Sequence, residues 1–178
     1  TIARHLPSNN LVTVNIPSDA GLRLPSIGLA ANQRDLTIRI DAASATASDK
    51  PIAISDPIGS FLNSPTLSFN PPAAGKNSSL IFTFRPEMRI EKDETVTLVL
   101  DRFTGFAETL NVTSVPEGVF RRASWSPSAK ELRFTVDRSI ARGEDVTVIT
   151  PNDVISLPIT GLQANQLSLK LCNLHMLR

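Results

Sequence analysis

The sequence predicts an all-β chain of tandem β-sandwich modules with essentially no helix, and three observations carry that expectation. The end of the chain repeats its beginning: Thr1–Gln33 lines up with Thr135–Gln166 at an offset of 134 residues, with one deletion opposite Gly21. A weaker repeat lies inside the first, Gly59–Leu100 resembling Gly118–Thr150 once short insertions are allowed. Apolar residues alternate with a period of two in β-branched runs bounded by Gly, Pro, Asn, Asp and Ser, which is the signature of half-buried strands.

Taken in order, the strand segments are DLTIRID (35–41), LIFTFR (80–85), TVTLVL (95–100), LRFTV (132–136) and DVTVIT (145–150). The Ala-rich stretch DAASATASDK (41–50) lacks large apolar residues at helical spacing and runs into Pro51, so a surface loop is expected there. The string I-x-x-x-E-x-V-T, present at Ile90 and again at Ile140, reads as a strand end, a polar turn and the next strand. Its Ile is expected as a core plug and its Glu as part of a solvated corner.

The long repeat is residue-specific. Val12, Thr13 and Val14 fall on Val146, Thr147 and Val148, while Leu24, Pro25, Gly28, Leu29, Ala31, Asn32 and Gln33 fall on Leu157, Pro158, Gly161, Leu162, Ala164, Asn165 and Gln166. The inner repeat aligns Gly59 and Phe61 with Gly118 and Phe120, Phe69 with Trp125, Phe82-Thr83-Phe84 with Phe134-Thr135-Val136, and Glu94 with Glu144. Repetition at a fixed period marks strung or stacked modules. The organisation expected is therefore the C-terminal part of one sandwich at 1–33, a sandwich over 34–102, a second over 103–166, and the first strand of a further module, or a chain end, at 167–178. Two separate cores follow, one around Phe61, Phe69, Phe82, Phe84, Ile90, Val96 and Leu98, the other around Phe120, Trp125, Leu132, Phe134, Ile140, Val146 and Val148. The equivalent terminal segments should sit one axial step apart along an open array.

Composition narrows the classes. Hydrophobic residues make up 41% of the 178, enough for globular modules. No run of about 18 apolar residues exists, so no membrane span is expected. A formal net charge of +1, with both signs interleaved, lacks the electrostatic footprint of a nucleic-acid partner. The single cysteine, Cys172, rules out a disulfide framework and reads as an apolar strand residue, with an intermolecular crosslink as the alternative.

Catalytic constellations are missing. The two histidines, His5 and His175, lie near the chain ends, and neither GxSxG, HExxH, a phosphate-cradling Gly-rich loop nor CxxC occurs, so no enzyme is expected. Asp93 with Glu94 and Glu144 with Asp145 are adjacent carboxylate pairs, but both occupy the same corner of the inner repeat and read as turns. Among cofactors, calcium would have to come from the scattered Asp19, Asp41, Asp56, Asp101 and Asp153, which form no DxD cluster; it stays open as a junction ion. Covalent glycans suit the sequence best. Asn77-Ser78-Ser79 and Asn111-Val112-Thr113 are N-glycosylation sequons, although chance alone supplies about that many among 11 asparagines. Asn77 lies in the Pro/Gly/Ser turn PPAAGKNSS and is expected to be exposed, whereas Asn111 lies in an alternating strand and must face outward. The Ser/Thr/Pro stretches NSPTLSFNPP and SWSPSAK suit O-glycans, and the 13 prolines equally serve to stop edge strands from pairing indiscriminately.

The combination of GLRLPSIGLAANQRDLTI, ETVTLVLDRFTGF and F-x-x-x-x-W-S-P-S-A-K-E-L-R-F-T-V resembles long tandem-repeat, immunoglobulin-like extracellular proteins of microalgae and other aquatic protists, similar to subunits of glycofibrils. The tail CNLHMLR (172–178) departs from the repeat. The resemblance implies immunoglobulin-like sandwiches strung along a fibre, copies of the chain joined head to tail, a glycan coat, and an extracellular or cell-surface location. The alternatives are an adhesin or carbohydrate-binding module, and a pilin-like subunit assembled by strand donation. Sugar-binding faces need exposed Trp or Tyr, and this chain has no Tyr and one Trp, Trp125, aligned with Phe69 and expected in the core.

Overall fold

The computed structural model describes residues 11–23, 25, 28–41, 46–106, 108–166 and 168–174. His5 and His175 lie outside them. The described chain is all-β, with one 3-10 turn at Ser18–Ala20 as its only helical element. Thirteen strands follow in order: β1 (Thr37–Asp41), β2 (Thr46–Pro51), β3 (Thr66–Asn70), β4 (Ser79–Phe84), β5 (Thr95–Leu100), β6 (Thr104–Gly105), β7 (Glu108–Asn111), β8 (Thr113–Val115), β9 (Arg122–Ser126), β10 (Glu131–Thr135), β11 (Val146–Ile149), β12 (Ile155–Ser156) and β13 (Leu169–Leu174).

Two antiparallel sheets form the body. One has five strands in the order β13-β5-β10-β9-β7, the other four in the order β3-β4-β11-β8. Alternate side chains of β4, β10 and β11 turn inward and are buried, as their period-two sequences require. The two inner faces meet ring to ring: Phe82 on β4 lies 4.9 Å from Phe134 on β10, and Phe84 lies 6.3 Å from Phe120. Prolines guard the outer strands of the smaller sheet, Pro65 and Pro71 flanking β3 and Pro116 following β8.

The core corrects the expected domain organisation. Leu80, Phe82, Ile90 and Val96 belong to one buried cluster with Phe120, Trp125, Phe134, Ile140, Val146 and Val148, so the segments 34–102 and 103–166 are two halves of one sandwich. The reason lies in strand exchange between the halves. β5 pairs with β10 rather than with β4, and β11 pairs with β4 rather than with β10. Each half therefore lends its third strand to the sheet of the other, and neither has a closed core by itself. Phe61 and Phe69 are half-buried at its margin.

The inner repeat survives as an approximate two-fold relationship inside that sandwich. Phe84 pairs with Val146 and Phe134 with Val96, so a constant offset of 50 residues carries Phe84 onto Phe134, Ile90 onto Ile140 and Val96 onto Val146. This shifts the expected alignment of Phe82-Thr83-Phe84 by two residues and moves Trp125 from the position of Phe69 to that of Leu67, because Trp125 pairs with Leu132 as Leu67 pairs with Phe82. The alignment of Phe61 with Phe120 holds. Phe61 meets Phe84 edge-on at 5.7 Å, and Phe120 meets Phe134 edge-on at 5.7 Å.

Outside the sandwich, β1 and β2 form a hairpin whose register runs from Thr37 opposite Pro51 to Asp41 opposite Thr46. Half of the stretch expected as a loop is thus a strand, stabilised by a partner that local sequence does not reveal. Residues 11–16 differ from their copy: Val12 and Val14 are 51% and 76% exposed, while Val146 and Val148 are fully buried. β11 lies between β4 and β8, and no strand flanks 11–16 among the described residues.

Candidate functional site

The asparagines of both sequons are exposed, but the sandwich holds them differently. Asn77 ends the turn before β4, where its backbone bridges to Ser156. Its side-chain amide nitrogen, the atom a glycan would modify, donates to the carbonyl of Asp153 at 2.8 Å, and its amide oxygen accepts from the Ser156 hydroxyl. Asn111 is the last residue of β7, the outermost strand of the larger sheet, and faces solvent opposite Arg122. Both asparagines are exposed as expected, and they differ in that the Asn77 amide is hydrogen-bonded to Asp153 and Ser156.

The acidic corners are built as twins. Ile90 and Ile140 are fully buried, as the core-plug reading requires. Glu94 accepts from the backbone N–H of Glu91 at 2.9 Å, and Glu144 from that of Ala141 at 2.9 Å, each carboxylate closing its own turn. Glu94 is only 7% exposed, so this corner is a buried clasp rather than a solvated one. The Arg138 guanidinium and the Ala141 N–H hold the Glu144 carboxyl below its usual range. A hydrogen bond from Ser139 does the same for Glu91, and a bidentate pairing with Arg85 lowers Asp145. These carboxylates are engaged in turn and strand geometry.

The five aspartates weighed as calcium ligands stay apart and exposed. Asp41 pairs with Arg39 at 3.2 Å and Asp101 with Arg102 at 3.7 Å. Among the described residues no three His, Cys, Asp or Glu side chains converge as a metal site, and no helix is long and apolar enough to cross a membrane. Trp125 is buried. Cys172 lies in β13 opposite Thr97, within a strand as expected.

Among the described residues the sandwich is open along one side. β3 ends one sheet and β13 ends the other. Between them a groove of about 1030 Å³ is lined by Pro65, Leu67 and Phe69 on one wall and by Leu157, Leu162, Asn165 and Leu169 on the other. The second wall is the C-terminal copy of the long repeat, and its backbone reproduces the first copy. Gly28 N–H donates to Pro25 and Gly161 N–H to Pro158, both at 3.0 Å; Leu36 donates to Gln33 at 3.2 Å and Leu169 to Gln166 at 3.1 Å. Asn32 and Asn165 share a left-handed backbone, with φ of 56° and 57°. The duplicated string G-L-x-A-N-Q was the signal that could have located this wall.

Compared with known proteins, the chain matches no family model, no curated protein and no solved structure.

Proposed function

We propose that this chain is a structural building block of an extracellular, glycosylated filament, assembled head to tail from copies of the same β-sandwich repeat. The observation that supports the reading is the recurrence of 25–36 at 158–169 with the same turn hydrogen bonds and left-handed asparagine, the first copy preceding the sandwich and the second leading into β13. A unit whose two ends carry the same connector extends in one direction without closing on itself, which is how open heterologous arrays grow. The unit is a carrier of length and stiffness in this reading, and performs no catalysis. Sugar at Asn111, at Asn77 and on the Ser/Thr/Pro stretches would hydrate the exposed sheet edges and block lateral pairing.

The adhesin or carbohydrate-binding alternative needs an aromatic platform, and the single tryptophan is buried in the core. Electron microscopy of the native material with glycan mass spectrometry tests the proposal. Fibrils with an axial repeat of one sandwich, bearing sugar, are the expected result; an unglycosylated monomer overturns it.

A further inference from the structure

We infer that the outward face of the smaller sheet is a lateral docking surface for a second copy of this chain, the two sandwiches packing sheet to sheet about a two-fold axis between β4 and β11. The inference goes beyond the filament reading, because it concerns the flank of the sandwich and not the ends through which an array would grow.

The face follows from the register of four strands. Thr66 lies opposite Thr83, Thr83 opposite Thr147, and Thr147 opposite Val115. In the next row Ser68, Ile81, Ile149 and Thr113 are aligned in the same way. Alternation turns both rows away from the core, since their strand neighbours Phe82, Phe84, Val146 and Val148 are the buried ones. No member of either row is charged. Val115 is 65% exposed and Ile149 37%, so apolar groups stand in the open on a neutral sheet face.

The larger sheet is built the other way. Its outward face carries Arg122 on β9, Glu131 and Arg133 on β10, and Lys170 on β13, with Arg133 paired to Glu131 at 2.7 Å. Mixed charge of that kind is what keeps a solvated sheet face in water. This contrast selects the occupant. A two-fold contact sets a surface against itself, so the larger face would bring Arg122 and Arg133 towards their own copies, whereas the smaller face brings no like charges together.

The middle of the face can also be dried without leaving a polar group unpaired. The hydroxyls of Thr83 and Thr147 hydrogen-bond to one another at 2.9 Å, so burying them forfeits no partner that the sandwich does not already supply. Thr66 and Thr113 lie on the two outer strands, where the rim of an interface stays wet. Beyond the Thr83–Thr147 row the patch ends at the Arg85–Asp145 ion pair, whose Nε–Oδ1 bond is 2.7 Å. The aligned mode of sheet packing, with the two faces about 10 Å apart and turned by about 30°, brings Ile81 of one copy to Ile149 of the other.

Size sets the strength. Four strands about 4.8 Å apart, each giving four residues of about 3.3 Å, outline a footprint of roughly 250 Å². A stable dimer buries about 800 Å² per partner. The contact is therefore weak between two free chains, and it becomes strong only where many copies are held side by side and their contacts act together.

The test is sedimentation velocity of the intact, unglycosylated chain over a concentration series, at low and at high salt. A reversible dimer that grows with concentration and is not weakened by salt is expected. Ile149→Lys and Val115→Lys should each raise its dissociation constant at least tenfold, since each sets a charge, and by symmetry a second one, into the dry face. Both side chains point outward, so unchanged Trp125 emission verifies that the fold is kept. Thr109→Lys, on the outward face of the larger sheet, should leave the dimer as it was. A monomer at every concentration, a dimer that salt dissolves, or one indifferent to both Ile149→Lys and Val115→Lys overturns the inference. Sugar found on Thr66, Ser68 or Thr113 of native material would bar the contact and overturn it as well, leaving the filament reading intact. The face-specific dimer in a chain whose native material is never fibrous upholds the inference and refutes the filament.

Discussion

Ile90 and Ile140 hydrogen-bond to one another reciprocally, the N–H of each donating to the carbonyl of the other at 3.0 and 2.8 Å, with both side chains fully buried. This pair sits where the two halves of the sandwich exchange places. Each half closes its own Glu-clasped turn beside it, and each then sends its next strand into the sheet of the other half.

Ile90→Ala and Ile140→Ala should be near-equivalent, each costing about 2–5 kcal/mol through lost burial and the cavity left behind. Because the halves share one core, the sandwich should unfold in a single cooperative transition in both variants. Two resolved transitions in a denaturant titration would return the molecule to two independent modules.

Thr97 is buried in the middle of β5, and its hydroxyl has no hydrogen-bond partner among the described residues. Thr97→Val replaces that hydroxyl by a methyl of the same shape and should raise stability by about 1 kcal/mol, read as a higher urea midpoint with an unchanged slope. A lower midpoint would mean that the hydroxyl is satisfied after all.

Glu91, Glu144 and Asp145 are held below their ordinary values of 4.5, 4.5 and 3.8 by Ser139, Arg138 and Arg85 respectively. A carboxylate with a depressed folded pKa contributes stability that is fully present above the unfolded value and disappears as pH falls through the folded one. Stability should therefore be flat from neutral pH down to about pH 5 and decline below the ordinary carboxylate range. Glu144→Ala should cost about 1 kcal/mol at neutral pH and shallow the acid limb, measured by thermal melting across pH.

Gly105 lies where β6 meets β12, and a Cβ there would stand 2.5 Å from the Val154 carbonyl oxygen and 3.1 Å from the Trp125 indole nitrogen. Gly105→Ala should destabilise by about 1–3 kcal/mol and shift tryptophan emission, since the clash is with backbone that has no rotamer to yield. Unaltered emission and melting would show that β12 moves freely.

Glycan occupancy should be higher at Asn111 than at Asn77 wherever sugar is added to folded protein, because the Asn77 amide is tied to Asp153 and Ser156. Site-resolved mass spectrometry of native material decides this. Full occupancy at Asn77 with none at Asn111 would reverse the order.

What was legible in the sequence is what short-range periodicity encodes. The alternating runs at 80–85, 95–100, 132–136 and 145–150 all fall on strands, and Ile90 and Ile140 are the core plugs that their repeated context announced. The inner repeat was also visible, but its register was not. Phe82-Thr83-Phe84 and Phe134-Thr135-Val136 look alike in either of two alignments, and only the pairing of Phe84 with Val146 and of Phe134 with Val96 separates them. Pairing partners are a non-local property, which is why one exchanged sandwich was indistinguishable from two consecutive ones. Glu94 illustrates the same limit. A glutamate in a polar turn reads as solvated until the turn is folded against the opposite half and its carboxylate closes on Glu91. The groove escaped for a third reason: its two walls, around Leu67 and around Leu162, are far apart in the sequence and only the fold brings them together.

The exchange of third strands also governs how such a chain could lengthen in genetic time. Two nested repeats offer two offsets at which a misaligned recombination could join. A step of 134 residues adds or removes a whole sandwich with its connector and leaves every strand with its neighbours. A step of 50 residues, the offset between the halves, would strand β4 without β11 or β10 without β5 and leave an odd half with no core. Only the longer step keeps every strand with its partners, so in the proposed filament the length of an array would be counted in whole sandwiches.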